Sequence, residues 1–149
     1  MRRAFRIGLV GVMSASAVMA TAVPAQAVTW EVVAHQSTPG FVGAGATAKA
    51  VIKWEGARRL TYTVFNVNDT CPDEGYRALG RAHAVYRDGT HGYGTWRVDS
   101  GCEGDGNTWY NLEFTASKDI MKAGTQACVE NPNAPDPCTS DFINNPYTS

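Results

Sequence analysis

The sequence predicts an all-β fold, an antiparallel β-sandwich or Greek-key-like barrel of about seven strands. Apolar residues recur at every second position along most of the chain, which is the pattern of strands with one buried face. No stretch of useful length shows the 3.6-residue apolar period of a helix. Turn-forming residues separate the alternating stretches, and such an order favours two layers around one core.

The predicted strands follow one another along most of the chain. The first two are 29–34 (TWEVVA) and 46–54 (ATAKAVIKW). In 60–68 (LTYTVFNVN) the apolar phase changes between Val64 and Phe65, as a β-bulge would cause. The four remaining strands are 77–87, 94–98, 108–116 and 124–130.

The last segment and the tryptophans complete the fold prediction. Segment 140–149 lacks alternation and is predicted to be an irregular tail pinned by Cys138 and Phe142. Because Trp30, Trp54 and Trp96 sit among apolar neighbours, we expect them in the core.

The first 27 residues have the composition of a secretory signal peptide. Arg2, Arg3 and Arg6 precede the mostly apolar segment 7–23, and Ala25-Gln26-Ala27 forms a small-x-small cleavage motif. We therefore expect a secreted, extracellular protein with a single domain, 28–149. No second apolar run approaches the roughly 18 residues of a membrane span, so no membrane partner is expected.

The charge of the mature chain argues against nucleic-acid partners. The leader holds three of the 13 basic residues and no acidic one, which leaves 10 basic against 14 acidic side chains, a net charge of −4. A nucleic-acid groove needs a basic stripe. We expect a monomer whose partner is an extracellular polysaccharide or protein.

Four cysteines lie in the exported part: Cys71, Cys102, Cys128 and Cys138. An even number in an oxidising compartment indicates two disulfides, for which three pairings are possible. The preferred pairing joins Cys128 to Cys138 around a proline-rich loop, which leaves Cys71 with Cys102. The spacing does not match the paired C-x2-C units of a zinc site.

Several turn motifs together resemble those of small secreted β-proteins of filamentous soil bacteria. These motifs are Cys71-Pro72-Asp73-Glu74-Gly75, VYRDG at 85–89, Ser100-Gly101-Cys102, ACVENP at 127–132, Cys138 and Asn145-Pro146. The resemblance covers nearly all of the mature chain, and it implies a fold type and an extracellular location. It carries no catalytic residue to this sequence.

The stretch 99–109 (DSGCEGDGNTW) is the densest group of potential metal ligands. Asp99, Glu103 and Asp105 could supply oxygen ligands to Ca²⁺, and a Cys71–Cys102 bridge would bring Asp73 nearby. An EF-hand loop beginning at Asp99 lacks the glutamate needed at its twelfth position. We predict a turn stapled by a disulfide and no cofactor, with Ca²⁺ as the alternative.

The strand 108–116 (TWYNLEFTA) supplies the candidate ligand-binding residues. Its alternation places Tyr110 and the apolar residues after it in the core, and Trp109, Asn111 and Glu113 on the opposite face. A flat ring beside amide and carboxylate groups suits sugar binding. The alternative is that Trp109 is covered by a loop, or that a one-residue slip in register places it in the core.

A glycine-rich hairpin at 87–96 (RDGTHGYGTW) is predicted to display His91 and Tyr93 in a loop, where Tyr93 could aid ligand binding. The disulfide-closed loop 129–137 (VENPNAPDP) suggests an alternative function, protease inhibition, because a rigid loop loses less entropy on binding.

Catalytic motifs are missing from the sequence, so we predict a protein that is not an enzyme. There is no G-x-S-x-G elbow, H-E-x-x-H pair or phosphate-binding glycine loop. A small hydrolase would need an acid–base pair drawn from His35, His83 and His91, or two carboxylates such as Glu31 and Glu113. The function predicted is non-catalytic recognition of a polysaccharide or cell-wall surface.

Overall fold

The computed structural model describes residues 29–40, 43–70, 76–101, 104–132 and 135–148. This part of the chain is all-β, contains no helix and forms nine strands. They are β1 (Thr29–Ser37), β2 (Gly45–Trp54), β3 (Arg59–Thr70), β4 (Arg77–Tyr86), β5 (His91–Tyr93), β6 (Arg97–Asp99), β7 (Asn107–Thr115), β8 (Ile120–Glu130) and β9 (Cys138–Asn144). In these residues no helix capable of crossing a membrane is found. The predicted leader 1–27 lies outside them.

The strands form two antiparallel sheets, which we call sheet A and sheet B. Sheet A has the order β1-β2-β3-β7, and sheet B has the order β5-β4-β8-β9. The short strand β6 also pairs with β4. Because β5 pairs with residues 83–85 and β6 with residues 78–80, the two form one interrupted edge strand along β4.

The sheets pack face to face through a core rich in small side chains. Alanines and larger apolar residues from both sheets belong to one buried cluster. At Gly80 the approach is so close that an added Cβ would lie 2.5 Å from Val67 Cγ2 and 3.2 Å from Ala48 Cβ. Two hydrogen bonds cross the core: Thr125 Oγ1 donates to the Ala48 carbonyl at 3.0 Å, and the Tyr62 hydroxyl donates to the Gly124 carbonyl at 2.9 Å.

The predicted β-bulge in the third strand is confirmed. The register between β2 and β3 shifts between Val51 and Ile52, because Val51 pairs with Val64 while Ile52 pairs with Tyr62. The extra residue lets both Tyr62 and Phe65, three positions apart, point into the core.

The nine described strands exceed the predicted count of about seven, and three further details of the predicted fold are wrong. The C-terminal segment is not an irregular tail, since β9 pairs with β8 over Cys138–Asn144. Trp54 is buried as expected, but Trp30 is 48% exposed and Trp96 is 39% exposed. Trp30 lies near the start of an edge strand, and Trp96 lies in the link between β5 and β6, so neither has a sheet neighbour on both sides.

The predicted Cys128–Cys138 disulfide is confirmed. The two cysteines are register partners at one end of the β8–β9 ladder, so the bond holds the edge strand β9 covalently. Cys71 and Cys102 lie outside the described residues, and their pairing stays a prediction.

We predict that Gly80→Ala lowers the free energy of unfolding by about 1 to 3 kcal/mol, because the new methyl group would overpack the core against Val67. Denaturant unfolding of the single variants and of the double variant with Val67→Ala would measure this. The double variant should lose less than the sum of the two single losses. If the loss in the double variant equalled the sum of the two single losses, there would be no steric conflict between positions 80 and 67.

Candidate functional site

The two sheets leave a cleft at the edge where β7 of sheet A faces β5 and β6 of sheet B. We call this opening, which has a volume of about 340 Å³, the edge cleft. Its buried and half-buried floor consists of Tyr62, Phe65, Ala82, Leu112 and Phe114. Its polar lining consists of Thr95, Arg97, Asn111 and Glu113.

The interruption between β5 and β6 creates one wall of the edge cleft. Gly94, Thr95 and Trp96 leave the ladder on β4, and one backbone hydrogen bond, from Gly94 N to the Ala82 carbonyl at 3.0 Å, holds the link in place. Thr95 and Arg97 are positioned at the cleft by this link and by the start of β6.

Asn111 shapes the opposite wall through its backbone conformation. Its φ of 54° is the only positive value at a non-glycine residue in the described part of the chain. Asparagine tolerates this left-handed conformation better than most residues. The ladder between β3 and β7 pairs Tyr62 with Leu112 and Val64 with Tyr110, but skips Asn111.

The alternation predicted for the strand 108–116 is wrong in its first half, and the alternative in which Trp109 turns inward is the one observed. Tyr110 is 66% exposed, whereas Trp109 is half-buried and packs against the core. Because Asn111 absorbs one residue of alternation, Trp109 and Leu112 both face inward, three positions apart. Of the four predicted ligand-binding residues, the structure brings Asn111 and Glu113 together in the edge cleft.

The two charged residues of the edge cleft differ in how their charges are balanced. Glu113 lies 3.5 Å from Arg59, which also contacts Glu55. Arg97 is half-buried, and its Cζ lies 5.1 Å from the centre of the Trp109 ring. Among the described residues no hydrogen bond or ion pair involves the guanidinium of Arg97, so its five N–H donors are available to a ligand.

Tyr93, the fourth predicted residue, lies on the outer face of sheet B. It belongs to the strand β5 and not to a hairpin loop, and so does His91. Tyr93 is 46% exposed, and its ring centre lies 4.5 Å from that of His83. Its position separates it from the edge cleft, whose lining does not include it.

His83 and His91 form an imidazole pair on this face, with a hydrogen bond of 2.7 Å between His83 Nε2 and His91 Nδ1. His83 also bonds Ser140 Oγ through Nδ1 at 2.9 Å, and Phe142 covers its ring. Burial, followed by the positive charges of His91 and Arg81, lowers the pKa of His83 to about 4. His35 lies apart from this pair, on β1, where it bonds Thr47.

The predicted metal loop holds a carboxylate with a structural role. Asp99 is buried, and it accepts hydrogen bonds from Asp69 N at 3.0 Å, Gly101 N at 3.3 Å and Asn107 Nδ2 at 3.2 Å. Asp105 is exposed. Glu103 and Asp73 lie outside the described residues, and in the part that is described no group of three or more potential ligands occurs.

The loop 129–137 is closed at its base. The backbone N–H of Val129 donates to the Pro137 carbonyl at 3.1 Å, and Asn131 N donates to Asp136 Oδ1 at 2.8 Å. The disulfide lies directly beside these bonds. Residues 133 and 134 at the middle of the loop lie outside the described part.

Sequence reasoning missed Arg97 and the link residues that line the edge cleft. The alternation predicts one strand over 94–98 and gives Arg97 no role, whereas in the structure residues 94–96 form a link and β6 begins at Arg97. The sequence signal that points to Arg97 is the pair of glycines at 92 and 94, because these glycines interrupt the alternation shortly before Arg97.

Comparison of the chain with models of protein families, with curated proteins and with solved structures found no match.

We predict that Asp99→Ala lowers the free energy of unfolding by about 1 to 3 kcal/mol, because it leaves three donors without their acceptor. Thermal melts with and without chelator would measure the loss. The control Asp105→Ala, at an exposed position, should change stability by less than about 0.5 kcal/mol. Equal losses from the two variants would contradict the structural role of Asp99.

We predict that stability falls as the pH is lowered from about 6.5 towards 4. The pKa of His83 is about 4 in the folded state and 6.5 for an ordinary imidazole, so the unfolded chain binds more protons in this range. This contribution is fully present above pH 6.5. We expect this contribution to stability to be on the order of 1 to 2 kcal/mol. It is smaller than the free energy equivalent to the whole pKa shift, because the His83–His91 pair reaches the surface.

Unfolding curves recorded between pH 7.5 and 4 would test this prediction. His83→Gln should flatten the dependence on pH, whereas the matched change His35→Gln, at an exposed position of the edge strand β1, should retain it. If both variants kept the slope of the unaltered protein, His83 would not be its source.

Proposed function

We propose that this protein is a secreted, non-catalytic carbohydrate-binding protein whose ligand occupies the edge cleft. The observation that carries the proposal is the meeting of Asn111, Glu113 and Arg97 around an apolar floor. Binding sites in proteins are commonly concave, mostly apolar and equipped with a few convergent polar groups.

The lining suits the two chemical sides of a sugar ring. The amide of Asn111 donates and accepts hydrogen bonds, the carboxylate of Glu113 accepts them and the guanidinium of Arg97 donates them, which matches adjacent hydroxyl groups. Leu112 and Phe114 offer apolar surface to the C–H face of a pyranose. Trp109, first expected to stack on the sugar, instead supports Arg97 from the core side.

The backbone at Asn111 favours a preorganised site. A left-handed conformation at a residue other than glycine costs free energy, and such residues cluster at binding sites. Here the conformation is fixed by ladder pairs on both sides, Leu112 with Tyr62 and Tyr110 with Val64. A backbone that is fixed before binding does not have to be ordered by the ligand, which lowers the entropy cost of binding.

Binding is favoured over hydrolysis by the carboxyl groups of the site. Glycoside hydrolysis usually needs two carboxyl groups flanking the scissile bond. The described lining of the edge cleft contains one, Glu113.

An extracellular location forms part of the same proposal. The leader-like residues 1–27 and the Cys128–Cys138 disulfide both support it, because disulfides persist in oxidising compartments. A second bridge, Cys71–Cys102, belongs to the proposal as well.

Retention of the mature protein on insoluble chitin, cellulose and peptidoglycan would test this function, followed by calorimetry with soluble fragments of the matrix that retains it. Asn111→Gly and Glu113→Gln should each weaken binding about tenfold, the effect of losing roughly 1.4 kcal/mol of hydrogen bonding. Glycine accepts the φ of 54° at position 111, so the first variant should fold.

Tyr110→Ser is the matched control, because Tyr110 lies on the same strand and is 66% exposed but does not line the edge cleft. It should bind as the unaltered protein does. No retention on any of the three matrices, or a loss in the control equal to that in the cleft variants, would overturn the proposal.

A further inference from the structure

Arg81 on β4 is held in an unusual position on the outer face of sheet B. Its Cζ lies 3.7 Å from the centre of the Tyr93 ring and 4.1 Å from that of Trp96. Its Nε donates to Gln126 Oε1 at 2.7 Å. We call Tyr93, Arg81 and Trp96 the aromatic–arginine stack. These three contacts fix the guanidinium plane and occupy only one of its nitrogens.

The terminal nitrogens of Arg81 have no hydrogen-bond or ion-pair partner among the described residues. The contrast with Arg77 is direct, because Arg77 lies on the same strand and the same face, and its guanidinium bonds both carboxylate oxygens of Glu130. An arginine that is held rigidly and has no carboxylate partner in the protein is preorganised to bind the carboxylate of a ligand. Its two terminal nitrogens would bind the two carboxylate oxygens end-on.

The surroundings of Arg81 carry positive potential. Burial lowers the pKa of Arg81, yet the group stays protonated at any physiological pH. Its charge contributes to the lowered pKa of the neighbouring His83. The groups that face His83 are Arg81 on its own strand, His91 and Tyr93 on β5, and Ser140 and Phe142 on β9. No carboxylate is among them.

We propose that the aromatic–arginine stack is a second ligand site, which binds the carboxylate of an acidic sugar. The carboxylate would accept hydrogen bonds from the terminal nitrogens of Arg81, and the pyranose ring would lie against Trp96, which is 39% exposed. This site uses different groups from the edge cleft, since neither Arg81 nor Trp96 lines that cleft.

His83 supplies a readout specific to this site. A carboxylate bound to Arg81 would offset the charge that disfavours protonated His83, so the pKa of His83 should rise on binding. A ligand in the edge cleft, where Arg81 is absent from the lining, should leave it unchanged.

Nuclear magnetic resonance titration of the mature protein with glucuronate, glucose and acetate would test the proposal. Glucuronate should shift the Trp96 indole N–H and raise the pKa of His83. It should also bind at least fivefold more tightly than acetate, which cannot stack, and than glucose, which has no charge. Arg81→Lys keeps the charge but loses the planar fork, so it should weaken glucuronate binding at least fivefold.

The matched control is Arg77→Lys, which alters a paired arginine on the same strand and should bind glucuronate as the unaltered protein does. Acetate binding as tightly as glucuronate would overturn the acidic-sugar ligand. Shifts confined to Arg97 and Asn111 would assign glucuronate to the edge cleft and overturn the second site. If no sugar bound in the edge cleft but glucuronate still raised the pKa of His83, only the proposed function would be overturned.

Discussion

The close approach of the two sheets is the constraint on which the rest of the structure depends. Gly80 faces Val67 and Ala48 with no room for a methyl group, and eight of the 17 buried residues of the core cluster are alanine. Backbones this close leave carbonyl groups buried between the layers. Thr125 and Tyr62 satisfy two of them across the core. The packing at Gly80 and the hydrogen bonds of Thr125 and Tyr62 therefore fix the same distance between sheet A and sheet B.

This spacing explains why one edge is open. At the edge formed by β1 and β9, Thr139 Oγ1 donates to Gln36 Oε1 at 2.6 Å and links the sheets. At the opposite edge, β7 and the interrupted pair β5 and β6 belong to different sheets. Large floor residues such as Phe114 separate the layers there, and the polar groups of Arg97 and Glu113 meet the solvent at the opening. The edge cleft is thus a consequence of the fold.

The sequence pattern predicted the central strands, the bulge near Phe65 and the Cys128–Cys138 bond, because each depends on neighbours along the chain. It could not predict β9, since an edge strand is defined by its partner and need not alternate. The sequence pattern left two orientations of Trp109 open, outward for ligand binding or inward in the core, for a related reason. A bulge in β3 imposes the same change of phase on β7, and Asn111 is the residue that can adopt it. Reading the two strands as a pair would have shown both changes.

The strand β9 follows all the other described strands in the sequence, and this order determines when sheet B can be completed. Ser140 and Phe142 cover His83, and Cys138 closes the disulfide with Cys128. A ribosome synthesises these residues after all the other described strands. Until they arrive, sheet B has an unpaired edge at β8, and a partly synthesised chain cannot assume its final form. The cover over His83 and the covalent link between β8 and β9 can therefore form only after residues 138–144 have been synthesised.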